Sequence, residues 1–180
     1  MSAFVLRVRR LKLCAAMLKK HYPPLFAGDD KWEERAKAFS DKVFELVSFL
    51  TDVVFLKDLA GRYEGSVTYH DSCSGLRELG IARQPRKLLN MVEGTELKEM
   101  KDADVCCGFG GTFCVKYADI SNAIVTQKIS DIEDTGADLL LAGDLGCLMN
   151  MAGKHDKICL AQTRRCISTP LSGKRLGLYA

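Results

Sequence analysis

Cysteine stands out in this chain of 180 residues less by its number than by its placement. Cys73 ends the run His70-Asp71-Ser72-Cys73. After 32 residues Cys106 and Cys107 adjoin and open Cys106-Cys107-Gly108-Phe109-Gly110-Gly111-Thr112-Phe113-Cys114; 39 residues separate Cys107 from Cys147, which lies in Asp144-Leu145-Gly146-Cys147-Leu148-Met149-Asn150. Thiolates are soft ligands that a bound metal keeps deprotonated, which is what iron in a sulfide cluster requires. The glycines at 108, 110 and 111 let backbone approach closely. Their N–H groups can bond to cluster sulfides and tune the potential, so they are candidate cofactor-binding residues. Taken singly, Cys73, Cys106, Cys107 or Cys147 is as easily a buried structural cysteine. The four together, with the glycine-rich segment, favour metal ligation. Zinc is the rival metal, but structural zinc sites favour close Cys-x-x-Cys hairpins, which are absent here.

The other polar candidates are weaker. Cys114 reads as a core residue, Cys159 as part of an apolar strand and Cys166 as part of an irregular tail. His70 either moves protons or orients a ligand, or else hydrogen-bonds to backbone at a strand end. Asp71 and Asp144 are equally loop or helix caps. His21 and His155 lie in polar surroundings. The Gly108 to Gly111 loop lacks the lysine or the strand–helix context of a phosphate cradle.

Elements that can bring distant cysteines together are legible around them. Ser66 to His70 is β-branched and aromatic and reads as a strand running into the Cys73 loop. Glu96–Met100 and Ala103–Cys106 are weaker strand candidates before the cysteine pair. Ile120, Ile124, Ile129 and Ile132 mark a helix ending near Gly136. Asp138 to Ala142 is an apolar run of the kind buried on both faces, and Gly143 to Cys147 turns from it into another helix. Pro85 to Met91 suggests a short helix with proline in its first turn. Lys157 to Leu160 reads as a last strand.

Upstream, Trp32, Ala36, Phe39, Val43, Leu46, Val47 and Leu50 form one apolar stripe of core-packing residues over five helical turns, followed by a shorter helix from Asp52 to Leu59. The expectation is an α/β domain with a small, mostly parallel sheet flanked by helices and preceded by an N-terminal amphipathic helical segment. The parts are an irregular basic segment 1–28, a helical segment 29–60, a cysteine-rich domain 61–162 and an irregular basic tail 163–180. Ligands of open parallel sheets bind at the carboxyl ends of the strands, where Cys73, Cys106, Cys107 and Cys147 would meet.

Charge excludes one class of partner. All 23 acidic residues lie between Asp29 and Asp156, and that stretch carries about −8. So acidic a middle is not built for nucleic acid. No apolar run approaches the roughly 20 residues of a membrane-spanning helix. Eight cysteines, about 4%, are too few for a small disulfide scaffold, and an adjacent pair is awkward for disulfides. A reducing compartment, the cytoplasm, follows.

The three cysteine segments resemble the cysteine-rich "CCG" domain of iron–sulfur oxidoreductase subunits, best its branch of lactate utilisation and glycolate oxidase iron–sulfur proteins. The resemblance covers about Tyr22 to Gln162. It implies a cluster, of [4Fe-4S] type, on Cys73, Cys106, Cys107 and Cys147. It also implies an electron-transfer subunit of lactate or related 2-hydroxy acid oxidation, not catalytic alone, working with other iron–sulfur subunits. Two departures stand out. Only the second of two family repeats is complete, with Cys14-Ala15-Ala16-Met17 resembling the end of a first; and Asn150 replaces a last cysteine found in some relatives. A truncated or frameshifted product would have such basic, patternless ends. The alternative function is accordingly a metal-free α/β interaction module or inert fragment.

Overall fold

The computed structural model describes residues 7–9 and 12–158. Three parallel strands order the cysteine-bearing part: β3 (Arg62–His70) lies between β4 (Glu93–Leu97) and β5 (Leu139–Ala142). The last five residues of β3 are all buried, as a central strand covered on both faces must be. Alternation divides them: Thr68 and His70 share a face with their β5 partners Leu140 and Ala142, while Val67 and Tyr69 point the other way.

Helices α7 (Ala118–Asp134) and α8 (Leu145–Ile158) pack together on the His70 face. Their inner positions join Leu140 in a buried cluster of Met100, Cys107, Val125, Ile129, Ile132, Cys147 and Met151. The spacing of Val125, Ile129 and Ile132, and of Cys147 and Met151, is that of one helical face. Full burial of such side chains contributes about 1.5–3 kcal/mol each, so this cluster is a main source of the domain's stability. The α/β architecture with a small parallel sheet is as expected.

The opposite face receives α1 (Lys12–Ala16), which passes through a π-helical turn, Met17–His21, into α2 (Tyr22–Leu25). Residues 12–25, expected to be irregular, are therefore helical, and Lys12 is wholly buried against β3 with its ammonium donating to Tyr69 Oη at 2.9 Å.

The long stripe from Trp32 to Leu50 is not one helix. It divides into α3 (Glu33–Asp41), a short strand β2 (Val43–Glu45) and α4 (Leu46–Ser48), which runs on as a π-helical turn to Val53. Val43 to Glu45 pair in parallel with β1 (Arg7–Arg9), and that ladder overrides the helical period at a β-branched and aromatic site. Trp32, expected in the core, is 42% exposed. The helix expected over Asp52 to Leu59 stops at Val53, where Val-Val-Phe has poor helix propensity.

Ala103–Cys106 is a turn instead of a strand, closed by Val105 N–H donating to the Asp102 carbonyl, and β4 starts earlier than expected, at Glu93. Instead of starting a strand, Lys157 and Ile158 complete α8. Cys159, Leu160, Cys166 and the basic tail 163–180 lie outside the described residues.

A single cation ties the end of β3 to its surroundings. Arg86, on α5 (Arg83–Leu89), grips both carboxylate oxygens of Asp71 at 3.1 and 2.8 Å, and both of Glu99 at 2.6 and 2.9 Å. Asp71 is 4% exposed, so removing its partner strands a buried charge, which costs far more than a surface pair is worth. Arg86→Met should lower unfolding free energy by roughly 3 kcal/mol. Urea denaturation measures this, and a loss under 1 kcal/mol would mean that the pair adds little.

Candidate metal centre

Each cysteine is delivered to the carboxyl edge of the sheet by a different device. Cys73 follows β3 by three residues and leads into a π-helical turn, Ser74–Glu78. Cys147 sits in the first turn of α8, after β5. There Asp144 accepts from the N–H groups of Gly146 and Cys147 at 2.9 and 3.3 Å, so Asp144 is a helix cap. Cys106 and Cys107 come from the loop after β4, which turns into α6 (Phe113–Lys116) and then α7.

That loop is pinned at its cysteines. The Gly108 N–H points at Cys106 Sγ at 3.3 Å, and Ser121 Oγ donates to the Gly108 carbonyl at 2.7 Å. Gly108, Gly110 and Gly111 all have positive φ. At Gly108 a side chain is excluded twice, by φ +81° and by the Ser121 carbonyl, which would lie 2.7 Å from a Cβ. Asn150, one helical turn past Cys147, donates its amide to the Cys107 carbonyl at 2.8 Å.

The result is a group of thiols. The sulfurs of Cys107 and Cys147 lie within 4.8 Å of each other, Cys106 adjoins Cys107, and the Cys73 and Cys106 thiols act electrostatically on one another. All six cysteines among the described residues are free thiols. Cys114 stands outside the group, its Sγ donating to the Gly111 carbonyl at 3.1 Å. Cys14 is exposed on α1.

Burial and the neighbouring Cys106 hold the Cys73 thiol above its usual range. Cys106 is raised by the neighbouring Cys107 thiol and then by burial. For Cys107 the neighbouring Cys106 favours the thiolate, but Cys147 and burial outweigh it and push the thiol up to about 12. Without metal these thiols are protonated at neutral pH, and a metal would displace their protons.

His70 completes the group. Its ring nitrogen lies within 4.8 Å of the sulfurs of Cys107 and Cys147. The residue is wholly buried, and neither ring nitrogen has a hydrogen-bond partner. The backbone-bonded histidine that a strand end allows is therefore not what forms. Burial, then the charges of Lys128 and Lys12, lower the His70 pKa to about 3, leaving a neutral imidazole. An orphaned buried imidazole among thiols is a costly arrangement for a metal-free core. It fits a group that supplies an acceptor or a metal ion there, and the donor set suits a soft metal.

Sequence reasoning left His70 open and did not find Asn150's anchoring bond or the Arg86–Asp71 pair. His155, read as lying in polar surroundings, is buried, with Nε2 unpartnered. His21 pairs at the surface with Glu78.

Comparison with known proteins agrees with this geometry. Residues 67–152, from mid-β3 into α8, match the family model described as a cysteine-rich domain. The chain is 48% identical over 141 residues to lactate utilization protein A of Geobacillus sp. (strain WCH70), covering 78% of this chain and 59% of that protein. It is 46% identical over 144 residues to lactate utilization protein A of Anoxybacillus flavithermus, covering 80% and 60%. With lactate utilization protein A of Lysinibacillus sphaericus it shares 44% over 141 residues, covering 78% and 61%. The chain thus spans about three-fifths of the length of these curated relatives. Residues 67–152 thus match the cysteine-rich domain family model, within a chain that is similar over most of its length to lactate utilization protein A.

Proposed function

We propose that this chain is an iron–sulfur electron-transfer subunit of a lactate, or related 2-hydroxy acid, oxidation system. Cys73, Cys106, Cys107 and Cys147 would hold a cluster of [4Fe-4S] type, with the Gly108 to Gly111 backbone beside it. The observation that carries this reading is an unpartnered, buried His70 whose ring lies within 4.8 Å of the Cys107 and Cys147 sulfurs, with Cys106 adjoining Cys107. Such a cluster supplies one-electron chemistry.

The chain's own contribution is to deliver four donors to one edge, to keep water from two of them, and to set the charge around them. Cys107 and Cys147 are 1% and 5% exposed, whereas Cys73 and Cys106 are half-buried. Electrons would enter or leave on the Cys73–Cys106 side. On this reading the partners are other iron–sulfur subunits of a lactate utilisation complex, in the reducing cytoplasm, and the chain is not catalytic alone. No helix among the described residues is long and apolar enough to cross a membrane.

Asn150 sharpens the ligand assignment. Its amide is already engaged with the Cys107 carbonyl, so it acts as a strut for the cysteine pair and not as a failed ligand. Losing that bond leaves the carbonyl of a buried residue short of a donor, a cost of about 1–3 kcal/mol.

Anaerobic reconstitution with ferrous iron and sulfide, read by iron and acid-labile sulfide content and by electron paramagnetic resonance, tests the proposal. Wild type and Cys114→Ser should load alike, while Cys106→Ser and Cys107→Ser should lose most of the iron. Equal loading of all four, or none in wild type, would leave the metal-free module as the better description. Asn150→Ala should retain the cluster but bind it less firmly, releasing iron to a chelator several-fold faster than wild type. Unchanged release would remove the strut from the account.

A further inference from the structure

The inner face of α7 carries a residue that its apolar neighbours do not explain. Lys128 falls between Val125, Ile129 and Ile132, and it is 1% exposed. Burying an ammonium costs several kcal/mol unless partners repay it. One partner is clear: its Nζ donates to the Asp102 carbonyl, in the turn just before Cys106.

The groups facing this ammonium are few. Asp131 lies one turn on along α7, 7% exposed, with Oδ1 accepting from Gln127 at 3.1 Å and Oδ2 without a partner. Burial lowers the Lys128 pKa, and the charges of Asp131, of Asp102 and Asp104 in the turn, and of Cys107 work against that and favour its charged form. On the sheet side its charge acts on His70. Lys128 is thus the buried cation whose field falls on both Cys107 and His70. Lys12, the other buried lysine, lies on the opposite face of β3 among Tyr69, Glu45, Asp71 and Asp144.

A cluster on four thiolates is anionic, and one-electron reduction by a donor such as dithionite adds a further negative charge. A fixed positive charge close by in a low-dielectric core favours the reduced form more than the oxidised one. We propose that Lys128 is a positioning residue that serves as the internal counter-cation of the cysteine site, anchoring the turn before Cys106 and raising the reduction potential of the cluster held there. This rests on the iron–sulfur reading given above.

The test is a potentiometric titration of the reconstituted full chain, followed by electron paramagnetic resonance. Lys128→Met, neutral and of similar length, should lower the reduced-to-oxidised ratio at fixed potential at least tenfold, a shift of about 59 mV to more negative values for a one-electron couple. Lys128→Arg, which keeps the charge, should restore most of the shift. Lys116→Met, at an exposed position, should leave the midpoint unchanged because solvent screens it. Lys128→Gln, which retains a donor for the Asp102 carbonyl, carries the measurement if methionine disturbs folding. An unshifted midpoint in the neutral variants, or equal shifts for methionine and arginine, overturns the counter-cation while leaving the cluster in place. A wild-type chain that takes up no iron overturns the iron–sulfur reading, and the counter-cation falls with it.

Discussion

The parallel pairing of β3 with β5 is the constraint on which the site depends. Its register sets Thr68 opposite Leu140 and His70 opposite Ala142, so both strands end at the same level. The chain leaving each must turn over the same edge. Cys73 follows one exit and Cys147 the other, and neither needs a special conformation to reach the middle. A slip of one residue would turn His70 to the Tyr69 face and separate it from Cys107 and Cys147. The cluster beneath α7 and α8 enforces the register, because Leu140 contributes to that core only from this face.

Polar groups buried around this edge are numerous for so small a sheet, and they are not equivalent. Asp71 is repaid by two-pronged contact with Arg86. Lys12 is repaid by Tyr69 and by the carboxylates of Glu45, Asp71 and Asp144. His70 is not repaid by any protein group among the described residues. Ion pairs at a protein's edge contribute little, but an unsatisfied polar atom in its interior costs about 1–3 kcal/mol. Thr68 Oγ1, Asp131 Oδ2 and His155 Nε2 are unpartnered as well, but His70 has two such atoms and stands beside the thiols, where binding would remove the cost.

How far these features are legible in the sequence depends on how local their causes are. Ser66–His70 and Leu139–Ala142 are strands because their own residues are β-branched or apolar. The α7 stripe and the glycines of the cysteine loop are local signals too. That Cys73 and Cys147 follow the ends of strands is legible as well, whereas the placing of Cys106 and Cys107 depends on the Gly108 turn and on bonds from Ser121 and Asn150. By contrast, β2 exists because Arg7–Arg9 pair with it from more than thirty residues away, and its own three residues fit a helical stripe equally well. Lys128 is hidden inside an apolar period, and a surface lysine would look the same in sequence. Asn150 and Arg86 act through bonds whose partners, Cys107 and Asp71, are separated from them by 43 and 15 positions.

The N-terminal helix shows how a segment without periodic signal can still belong to the core. Lys12 enters between the two cysteine-bearing turns, beside Gly75, which follows Cys73, and Gly143, which precedes Cys147. A Cβ at either glycine would overlap the Lys12 chain. The lysine stem thus fills the space that the missing side chains leave, and its ammonium reaches Tyr69 at the centre of the sheet. Apolar packing alone would not select lysine here, since a leucine would fill similar volume without the desolvation cost that lowers the lysine's pKa. What selects it is the group of carboxylates at the same edge, Glu45, Asp71 and Asp144, which would repel one another without a cation between them. The two buried lysines therefore divide the work across β3. Lys12 balances charges that the protein itself brings to the edge, whereas Lys128, on the thiol side, stands where a bound cluster would add charge.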